Sequence, residues 1–168
     1  MDRFMFKLVI TYPDMEELLE IVNITQKTME EIAGAACNAK ELLLMRETAK
    51  EIPVAEDVMK YAMKLVMATQ PDGKYASAAS GKYLRYGASP RAAQALITTA
   101  KVKALMNGRY NVSYEDINSL AYPVLRHRIK LNFEAVTGKV TTDQVIGEII
   151  QELNPKQSGV LPLLKHKK

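Results

Sequence analysis

Arg91 is the residue whose position in the sequence most clearly indicates a binding site. It lies in "GASPRAAQALITTAKVKALMNG", a stretch that predicts a helix with Ser89 as N-cap and Pro90 in the first helical position. A cation in the first turn meets the positive end of the helix dipole, which costs roughly 0.3–1 kcal/mol unless an anion offsets it. The free N–H groups of a helix N-terminus together with a guanidinium can bind a phosphate group. A surface ion pair with a nearby carboxylate explains Arg91 equally well, so both interpretations stay open at this point.

Two other stretches carry arginines that could do chemistry. Arg3 stands beside Asp2 in "DRF". An arginine at a domain edge can reach across a subunit interface and stabilise a transferring phosphoryl group, although the dipeptide alone fits an Asp–Arg surface pair better. The stretch "LRHRIKL" places Arg126, Arg128 and Lys130 at alternate positions. A nucleic-acid-binding stripe would need more interleaved aromatic side chains, so these three residues fit a solvated face better.

The sequence contains none of the common motifs of an autonomous active site. It has no G-x-x-x-x-G-K-[ST] phosphate loop, no G-x-G-x-x-G, no C-x-x-C and no H-E-x-x-H. The histidines, His127 and His166, are far apart, and no Ser/His/Asp arrangement stands out. We therefore expect neither independent catalysis nor a metal site. Cys37, the single cysteine, excludes an intrachain disulfide, and its small neighbours predict a buried structural thiol.

The composition predicts a globular protein with an uneven charge. The 168 residues are 48% hydrophobic and carry a net charge of +4. Residues 1–84 hold 10 Lys+Arg against 13 Asp+Glu, whereas residues 85–168 hold 13 against 6. The basic half could meet nucleic acid, phosphate or an acidic protein face, but a solvated surface is the simpler explanation. No signal peptide or apolar stretch of membrane-spanning length is present, so we expect a cytoplasmic protein with no membrane partner.

The hydrophobic pattern predicts a mainly α protein, a helical bundle with one short strand at the front. The strand is Phe4–Tyr12, whose sheet partners we expect to be missing from the chain. A capping box at Asp14 and Glu17 begins the first helix. Further helices are predicted from Thr28 to about Cys37, from Lys40 to Ala49, from the residues after Pro53 to about Gln70, and from Ser89, Ser113 and Thr141, with a surface loop over Pro71–Ser89. We divide the chain into residues 1–12, a helical domain over 13–153, and a mobile basic tail over 154–168.

Several of these stretches together resemble the C-terminal part of a MoxR-type AAA+ ATPase. They are "DRFMFKL" followed by "YP", then "ATQ", then "GASPRAAQALITTAKVKALMNGRYNVSYEDI", then "YPVLRHRIKLNFEA" and "TTDQVIGEII", in this order. The resemblance runs from Asp2 to about Pro155, and "GASPRA" with "VLRHRI" at this separation is its most specific part. Residues 1–12 would then end the AAA+ core domain, and residues 13–153 would form the helical lid.

The resemblance implies roles for two arginines. Arg3 would be the arginine finger that acts in trans on the neighbouring subunit's nucleotide. Arg91, with Pro90 beside it, would be the sensor 2 residue that contacts the γ-phosphate of ATP in its own subunit. The "LRHRI" residues would have a structural role. Members of this family use ATP and Mg²⁺, form rings that are commonly hexamers, and remodel partner proteins in a chaperone-like way, often proteins with a von Willebrand factor A domain.

The resemblance also implies what this chain cannot do alone. The phosphate loop, the Walker B acid and sensor 1 would precede Asp2, and Met1 would be an introduced start. We therefore expect the isolated chain to bind no cofactor and to be inactive as an ATPase. The alternative is a stand-alone helical adaptor that binds protein or nucleic acid through its basic C-terminal half, although the pattern does not favour nucleic acid. A related ring ATPase, such as a magnesium-chelatase-type motor subunit, would change the partner and keep the arginine roles.

Overall fold

The computed structural model describes residues 2–26 and 34–153. Its helices are α1 Met15–Gln26, α2 Ala39–Glu51, α3 Glu56–Ala68, α4 Ala78–Tyr83, α5 Pro90–Met106, α6 Tyr114–Leu125, α7 Phe133–Thr137 and α8 Thr142–Leu153, and its strands are β1 Leu84–Tyr86 and β2 Lys130–Leu131. The chain divides into two compact units: Leu8–Thr48, and Met1–Lys7 with Ala49–Lys168. The prediction of a mainly helical protein is confirmed.

The smaller unit contains α1 and all but the last three residues of α2, and each helix is begun by a capping box. The Asp14 carboxylate accepts a hydrogen bond from the backbone N–H of Glu17 at 2.9 Å, and the Asp14 N–H donates to Glu17 Oε2 at 3.0 Å. Asn38 and Glu41 repeat this reciprocal pattern at the start of α2. Neither helix has a buried residue. The predicted helices from Asp14 and over Lys40–Ala49 are therefore present, although their apolar side chains are exposed.

Two predictions fail beside α2. The residues 34–37 form no helix, and the rest of the stretch predicted from Thr28 lies largely outside the described residues. Cys37 is exposed, so the prediction of a buried thiol is wrong. Its alanine and glycine neighbours offer little apolar surface, and a short segment of small residues does not build a core around a thiol.

The larger unit has a continuous core built mainly from α3, α5, α6 and α8. Its largest fully buried side chains include Leu65, Leu96, Ile117, Leu125 and Ile146. Helix α5 contributes Leu96 and several alanines, of which Ala92, Ala100 and Ala104 are each 0% exposed. Small side chains allow neighbouring helices to approach closely, so α5 can lie at the centre of the unit with one end at the surface.

Several helix ends in this unit carry capping motifs. Gly108 adopts the left-handed conformation after α5 (φ 67°), and the N–H groups of Gly108 and Arg109 return to the carbonyls of Leu105 and Ala104, both at 2.9 Å. This is a Schellman motif, which satisfies carbonyls at a helix end. Ser113 forms a capping box with Asp116 at the start of α6. The predicted cap of α8 is also present, since Gln144 accepts from the Thr141 N–H at 2.7 Å.

The segment predicted as a surface loop, Pro71–Ser89, instead contains α4 and β1. The hydroxyls of Ser77 and Ser80 form a capping box, and Ser80 is fully buried, where it donates to the carbonyl of Ala68. Strand β1 pairs antiparallel with β2, with Leu84 opposite Leu131. The hydroxyls of these serines therefore form hydrogen bonds with nearby backbone groups and stabilise a short helix. The composition of the segment alone indicated a loop.

The predicted strand over Phe4–Tyr12 is absent, because these residues form neither strand nor helix. Their β-branched and aromatic side chains favour an extended backbone. A strand also needs a neighbouring strand, and none of the strands that the structure describes pairs with this segment, although the Lys7 N–H donates to the Pro123 carbonyl at 2.9 Å. Within that described part of the chain, no helix is long and apolar enough to cross a membrane.

Candidate functional site

Three arginines of the larger unit line one open cavity of about 240 Å³. They are Arg3, Arg91 and Arg128, and Asp2 is the carboxylate among the lining residues. We call this the arginine cavity. The remaining lining residues are Met5, Gln94, Ala95 and Thr98. Three guanidinium groups against one carboxylate leave the cavity with an excess of positive charge, which suits an anionic ligand.

Asp2 is bound from three directions. Its two carboxylate oxygens accept from Ser89 Oγ at 3.0 and 2.9 Å, and Oδ2 also accepts from Arg91 Nη1 at 3.2 Å. Its Oδ1 lies 3.4 Å from Arg128 Nε. Burial opposes ionisation of the Asp2 carboxyl, but the Ser89 and Arg91 hydrogen bonds and the charges of Arg128 and Arg91 outweigh it and lower its pKa. Asp2 is therefore held as a carboxylate.

Arg91 projects from the first turn of α5, as predicted, and its surface pair is with Asp2. Its side chain is 69% exposed, and an exposed pair of this kind contributes little to stability. Ser89 occupies the N-cap position without capping the helix, because its hydroxyl is directed to Asp2. Pro90 is exposed at the first helical position. The start of α5 thus presents a guanidinium, and its backbone N–H groups receive no side-chain cap.

The short loop before α5 is fixed by the end of α3. The Ala88 N–H donates to Thr69 Oγ1 at 2.9 Å, and the Ala88 carbonyl accepts from Gln70 Nε2 at 2.8 Å. Thr69 is fully buried. A Cβ on Gly87 would lie 2.5 Å from the Thr69 carbonyl oxygen, so only glycine permits this approach. The "ATQ" and "GASPR" stretches therefore meet, and together they position Arg91.

The "LRHR" stretch binds the first residues of the chain. Arg128 donates to the carbonyls of Phe4 at 2.6 Å and Met5 at 3.1 Å, and also to the carbonyl of Val124. His127 Nε2 lies 2.9 Å from the Phe4 carbonyl oxygen. Burial lowers the pKa of Arg128, and Asp2 opposes that shift. With the Arg128 side chain only 2% exposed, the prediction of a solvated face is wrong at this residue.

Arg126 has a similar anchoring role. Its guanidinium pairs with both carboxylate oxygens of Asp143, at 3.0 and 2.7 Å, and donates to the Lys7 carbonyl at 2.9 Å. The alternate positions of Arg126, Arg128 and Lys130 suggested that they share one face. Arg126 and Arg128 instead bind backbone carbonyls of the segment Phe4–Lys7. Sequence reasoning missed this because carbonyl partners leave no residue-type signal.

Arg3 is exposed at the mouth of the arginine cavity. Its guanidinium carbon lies 5.8 Å from the centre of the Phe4 ring. In the part of the chain that the structure describes, no carboxylate lies within ion-pair distance of Arg3. Among the same residues, no group of three His, Cys, Asp or Glu side chains is arranged to hold a metal ion.

Comparison with known proteins shows which chains this one is similar to in sequence and fold. Residues 76–149 match the AAA lid domain family. The chaperone MoxR1 of Mycobacterium tuberculosis is 29% identical over 168 residues, which is 98% of this chain and 44% of MoxR1. YeaC of Bacillus subtilis, an uncharacterised protein, is 27% identical over 89% of this chain and 44% of its own length. A solved structure from Cytophaga hutchinsonii, described as a candidate ATPase, superposes with a TM-score of 0.82 at 36% identity, covering 91% of this chain and 47% of that one.

The fold and the match over residues 76–149 define an AAA lid domain, which comprises α4 to α8 up to residue 149. The resemblance to the C-terminal part of a MoxR-type AAA+ ATPase is confirmed by the relatives that align along nearly the whole chain. The chain spans less than half the length of these relatives.

Proposed function

We propose that this chain is the lid part of an ATP-hydrolysing ring motor, in which Arg91 contacts ATP in cis and Arg3 contacts it in trans. The observation that carries the proposal is the arginine cavity, where the exposed Arg91 guanidinium projects from the uncapped start of α5 and the exposed Arg3 lines the same cavity. ATP supplies a polyanion, and Mg²⁺ would accompany it on the core domain. The phosphate loop would also belong to that core, because the present sequence has no such motif.

Arg91 is suited to a phosphate contact by its place and its exposure. It lies in the first turn of α5, where the helix dipole already favours an anion. Its pair with Asp2 is exposed and so is readily exchanged for a contact to a more highly charged group. A γ-phosphate oxygen accepting from Arg91 would form a charge-assisted hydrogen bond of the strong kind.

Arg3 is suited to act on a neighbouring subunit because its side chain is exposed while its backbone neighbours are held. Asp2 precedes it and is bound by Ser89, and the Phe4 carbonyl follows it and is bound by Arg128. A guanidinium that is held at its base and unpaired among the described residues can insert into a second active site. In well-studied cases, a finger supplied in trans accelerates phosphoryl transfer by about 10³–10⁵-fold.

The test is steady-state ATPase activity of the complete enzyme with single alanine substitutions. We expect Arg3→Ala to lower kcat by about 10³-fold or more. We expect Arg91→Ala to lower kcat/KM by about 10- to 100-fold, the effect of losing one hydrogen bond to a charged group.

The matched control is Arg85→Ala. Arg85 is also exposed and also lies over the ring of the next residue, 5.2 Å from the Tyr86 centroid, but it does not line the cavity. Its loss should leave ATP hydrolysis unchanged. Full activity of both the Arg3→Ala and Arg91→Ala enzymes would refute the proposed function.

The wider activity we infer is chaperone-like remodelling of partner proteins by a ring, commonly a hexamer, in the cytoplasm. The similarity to a protein named as a chaperone supports this inference. A protein with a von Willebrand factor A domain is the partner we would test first, by co-purification with the assembled ring. In a magnesium-chelatase-type motor, the arginine roles would be the same and the partner would differ.

The alternative, a stand-alone adaptor with a basic binding surface, has less support. Three cations of the basic half are engaged within the chain: Arg109 pairs with Asp116, Arg126 with Asp143, and Arg128 binds backbone carbonyls. Positive charge that is already paired contributes little to binding a polyanion. An adaptor would bind its partner without ATP, whereas a lid acts only with an ATPase core.

A further inference from the structure

The Asp2 carboxylate occupies the position at the start of α5 that the proposed function gives to a phosphate group. Ser89 Oγ donates to its two oxygens at 3.0 and 2.9 Å, and Arg91 Nη1 donates to Oδ2 at 3.2 Å. The Ser89 hydroxyl makes this contact in place of a side-chain cap on the helix. A hydroxyl and a guanidinium at a helix N-terminus are donors that a phosphate group also uses. Asp2 and a phosphate group therefore compete for Ser89 and Arg91.

A second donor lies beside Asp2 and lacks a hydrogen-bond partner. Asp2 Oδ1 is 3.4 Å from Arg128 Nε, which is longer than the roughly 2.7–3.2 Å of an ordinary N–H···O hydrogen bond. Among the described residues, Arg128 Nε is a buried nitrogen that forms no hydrogen bond. Buried donors without a partner are rare because they cost free energy, and a short movement of the carboxylate would satisfy this one. Asp2 thus has an observed position on Ser89 and Arg91 and a second position on Arg128.

We propose that Asp2 is an autoinhibitory residue: its carboxylate occupies Ser89 and Arg91 in the absence of nucleotide, and the γ-phosphate of ATP displaces it onto Arg128. The inference rests on the proposed function, because it requires that Arg91 contacts ATP. It adds that the chain carries its own competitor for that contact. Asp2 therefore lowers the affinity of the enzyme for ATP and leaves its affinity for ADP, which has no γ-phosphate, unchanged.

The charges of the two anions explain why a γ-phosphate displaces the carboxylate. A carboxylate carries one negative charge on two oxygens, whereas a terminal phosphate carries about −1.5 to −2 on three oxygens near neutral pH. The Arg91 side chain is 69% exposed and that of Asp2 is 35% exposed, and an exposed ion pair of this kind is weak. The phosphate therefore gains more from binding Arg91 than the carboxylate loses by leaving it.

Arg128 can supply the second position without losing its other contacts. Its Nη atoms donate to the carbonyls of Phe4, Met5 and Val124, and its Nε is a separate donor on the same planar group. The side chain is only 2% exposed, so a carboxylate beside it compensates a buried charge in either position. The same positive charge offsets the repulsion between the displaced carboxylate and the phosphate.

The test is equilibrium binding to the complete ATPase of ADP and of an ATP analogue whose β–γ bond is not hydrolysed. We expect Asp2→Asn to lower the Kd for the analogue by about 3- to 10-fold, the effect of removing an exposed ion pair and weakening a hydrogen bond to a charged group. The Kd for ADP should change by less than about twofold, as for an ordinary surface substitution. A merely structural role of Asp2 would instead weaken the binding of both nucleotides.

Two further variants complete the design. In an Arg91→Ala background, Asp2→Asn should give no gain in affinity, because the contact for which Asp2 competes has gone. Asp143→Asn is the matched control. It removes a carboxylate from Arg126, at 43% side-chain exposure against 35% for Asp2, and lies outside the arginine cavity. We expect it to change neither Kd.

The outcomes separate this inference from the proposed function. A lower Kd for the ATP analogue alone, lost in the Arg91→Ala background, supports both. Where Arg91→Ala weakens binding of the analogue, the autoinhibitory role is overturned if Asp2→Asn leaves that binding unchanged, weakens it, strengthens ADP binding equally, or still strengthens it without Arg91. The cis contact then stands. No effect of Arg91→Ala overturns the cis contact and this inference with it.

A second measurement uses the present 168-residue chain and tests the position on Arg128. The double substitution Ser89→Ala/Arg91→Ala removes both donors of the observed position, so Asp2 should move to Arg128. Side-chain NMR should then report slower hydrogen exchange of the Arg128 Nε–H than in an Arg85→Ala chain, whose substitution lies outside the cavity. The double variant should fold, because Ser89 provides no side-chain cap and Arg91 is exposed. Unchanged exchange in that folded chain would overturn the displacement onto Arg128.

Discussion

At the scale of single residues, the chemistry of the site depends on how each charge is compensated. Arg91 and Asp2 form an exposed pair, whereas Arg109 and Asp116 form a more buried one. In the second pair, the Asp116 side chain is 3% exposed and accepts from Arg109 at 2.6 and 2.8 Å and from the Ser113 N–H at 2.9 Å. The proposed function requires the first pair to open for a phosphate group, whereas the second pair is held within the fold.

The Arg109–Asp116 pair predicts a dependence of stability on pH. Burial would raise the pKa of Asp116, but hydrogen bonds from Arg109 and Ser113 outweigh it, so the folded pKa is lowered. A lowered folded pKa stabilises the protein above the unfolded value, near about 3.9, and this contribution is lost as pH falls through the folded value. The difference in free energy of unfolding between the chain and its Asp116→Asn variant should be constant above about pH 5 and shrink below about pH 4.

Urea unfolding at a series of pH values measures this difference. Asp72→Asn, at an exposed position, is the control and should change stability little at any pH. A stabilising contribution of Asp116 that grows as the pH falls from 5 to 3 would contradict the assigned sign.

From residue types alone, Arg91 and Arg3 could be singled out as candidate phosphate-binding cations by their charge and their positions. The residues that contact them could not be predicted. The first-turn arginine is visible because it opposes the helix dipole. Asp2 as its partner is not visible, because the two residues are far apart in the chain and only the fold brings them together. The burial of Arg128 was not visible from residue types for a related reason, since its partners are main-chain carbonyls that any residue would supply.

At the scale of elements, the start of α5 depends on how closely the preceding loop approaches the end of α3. Gly87→Ala would place a Cβ 2.5 Å from the Thr69 carbonyl oxygen, so the loop must move. We expect this substitution to destabilise the protein by about 1–3 kcal/mol, the usual cost of overpacking. Thermal unfolding followed by circular dichroism measures the effect.

Gly81→Ala is the control in the same unit. Its new Cβ would meet its nearest atom at 3.8 Å, within helix α4. Alanine is a better helix former than glycine by roughly 0.5–1 kcal/mol, so this variant should be as stable as the parent or more so. A Gly87→Ala protein as stable as Gly81→Ala would show that the loop does not need the close approach.

Helix positions were largely predictable from caps and periodicity, because these signals are local. Asp14, Ser113 and Thr141 each begin a helix where a capping residue and its partner stand three positions apart. The segment over Pro71–Ser89 was not predictable, because its small residues indicate a loop while buried serine hydroxyls sustain a short helix. The strand over Phe4–Tyr12 failed for the opposite reason: its composition favours a strand that needs a partner beyond its own sequence.

At the scale of the whole molecule, the two units differ in how much apolar surface they bury. The unit Leu8–Thr48 contains α1 and most of α2, and neither helix has a buried residue. The unit with Ala49–Lys168 contains a continuous apolar core. Since burial provides most of the free energy of folding, local opening should require much less free energy in the first unit than in the second.

Limited proteolysis tests this difference. We expect early cleavage between residues 8 and 48 and a resistant product that begins near residue 49, identified by mass spectrometry. Early cleavage within α5 or α6, before any cut between residues 8 and 48, would contradict the expectation. A chain with Leu65→Ala, which removes a fully buried side chain, serves as the comparison in which the second unit should also become sensitive.

The contact of Thr69 and Gln70 with Ala88 has a mechanical consequence for the larger unit. Both polar groups of Ala88 are bound by residues at the end of α3, one by a hydroxyl and the other by an amide. The peptide groups on either side of Ala88 are therefore restrained by the end of α3. If a ligand at Arg91 rotated α5, the end of α3 would rotate with it. The two hydrogen bonds to Ala88 would then determine how much of the rotation of α5 reaches α3.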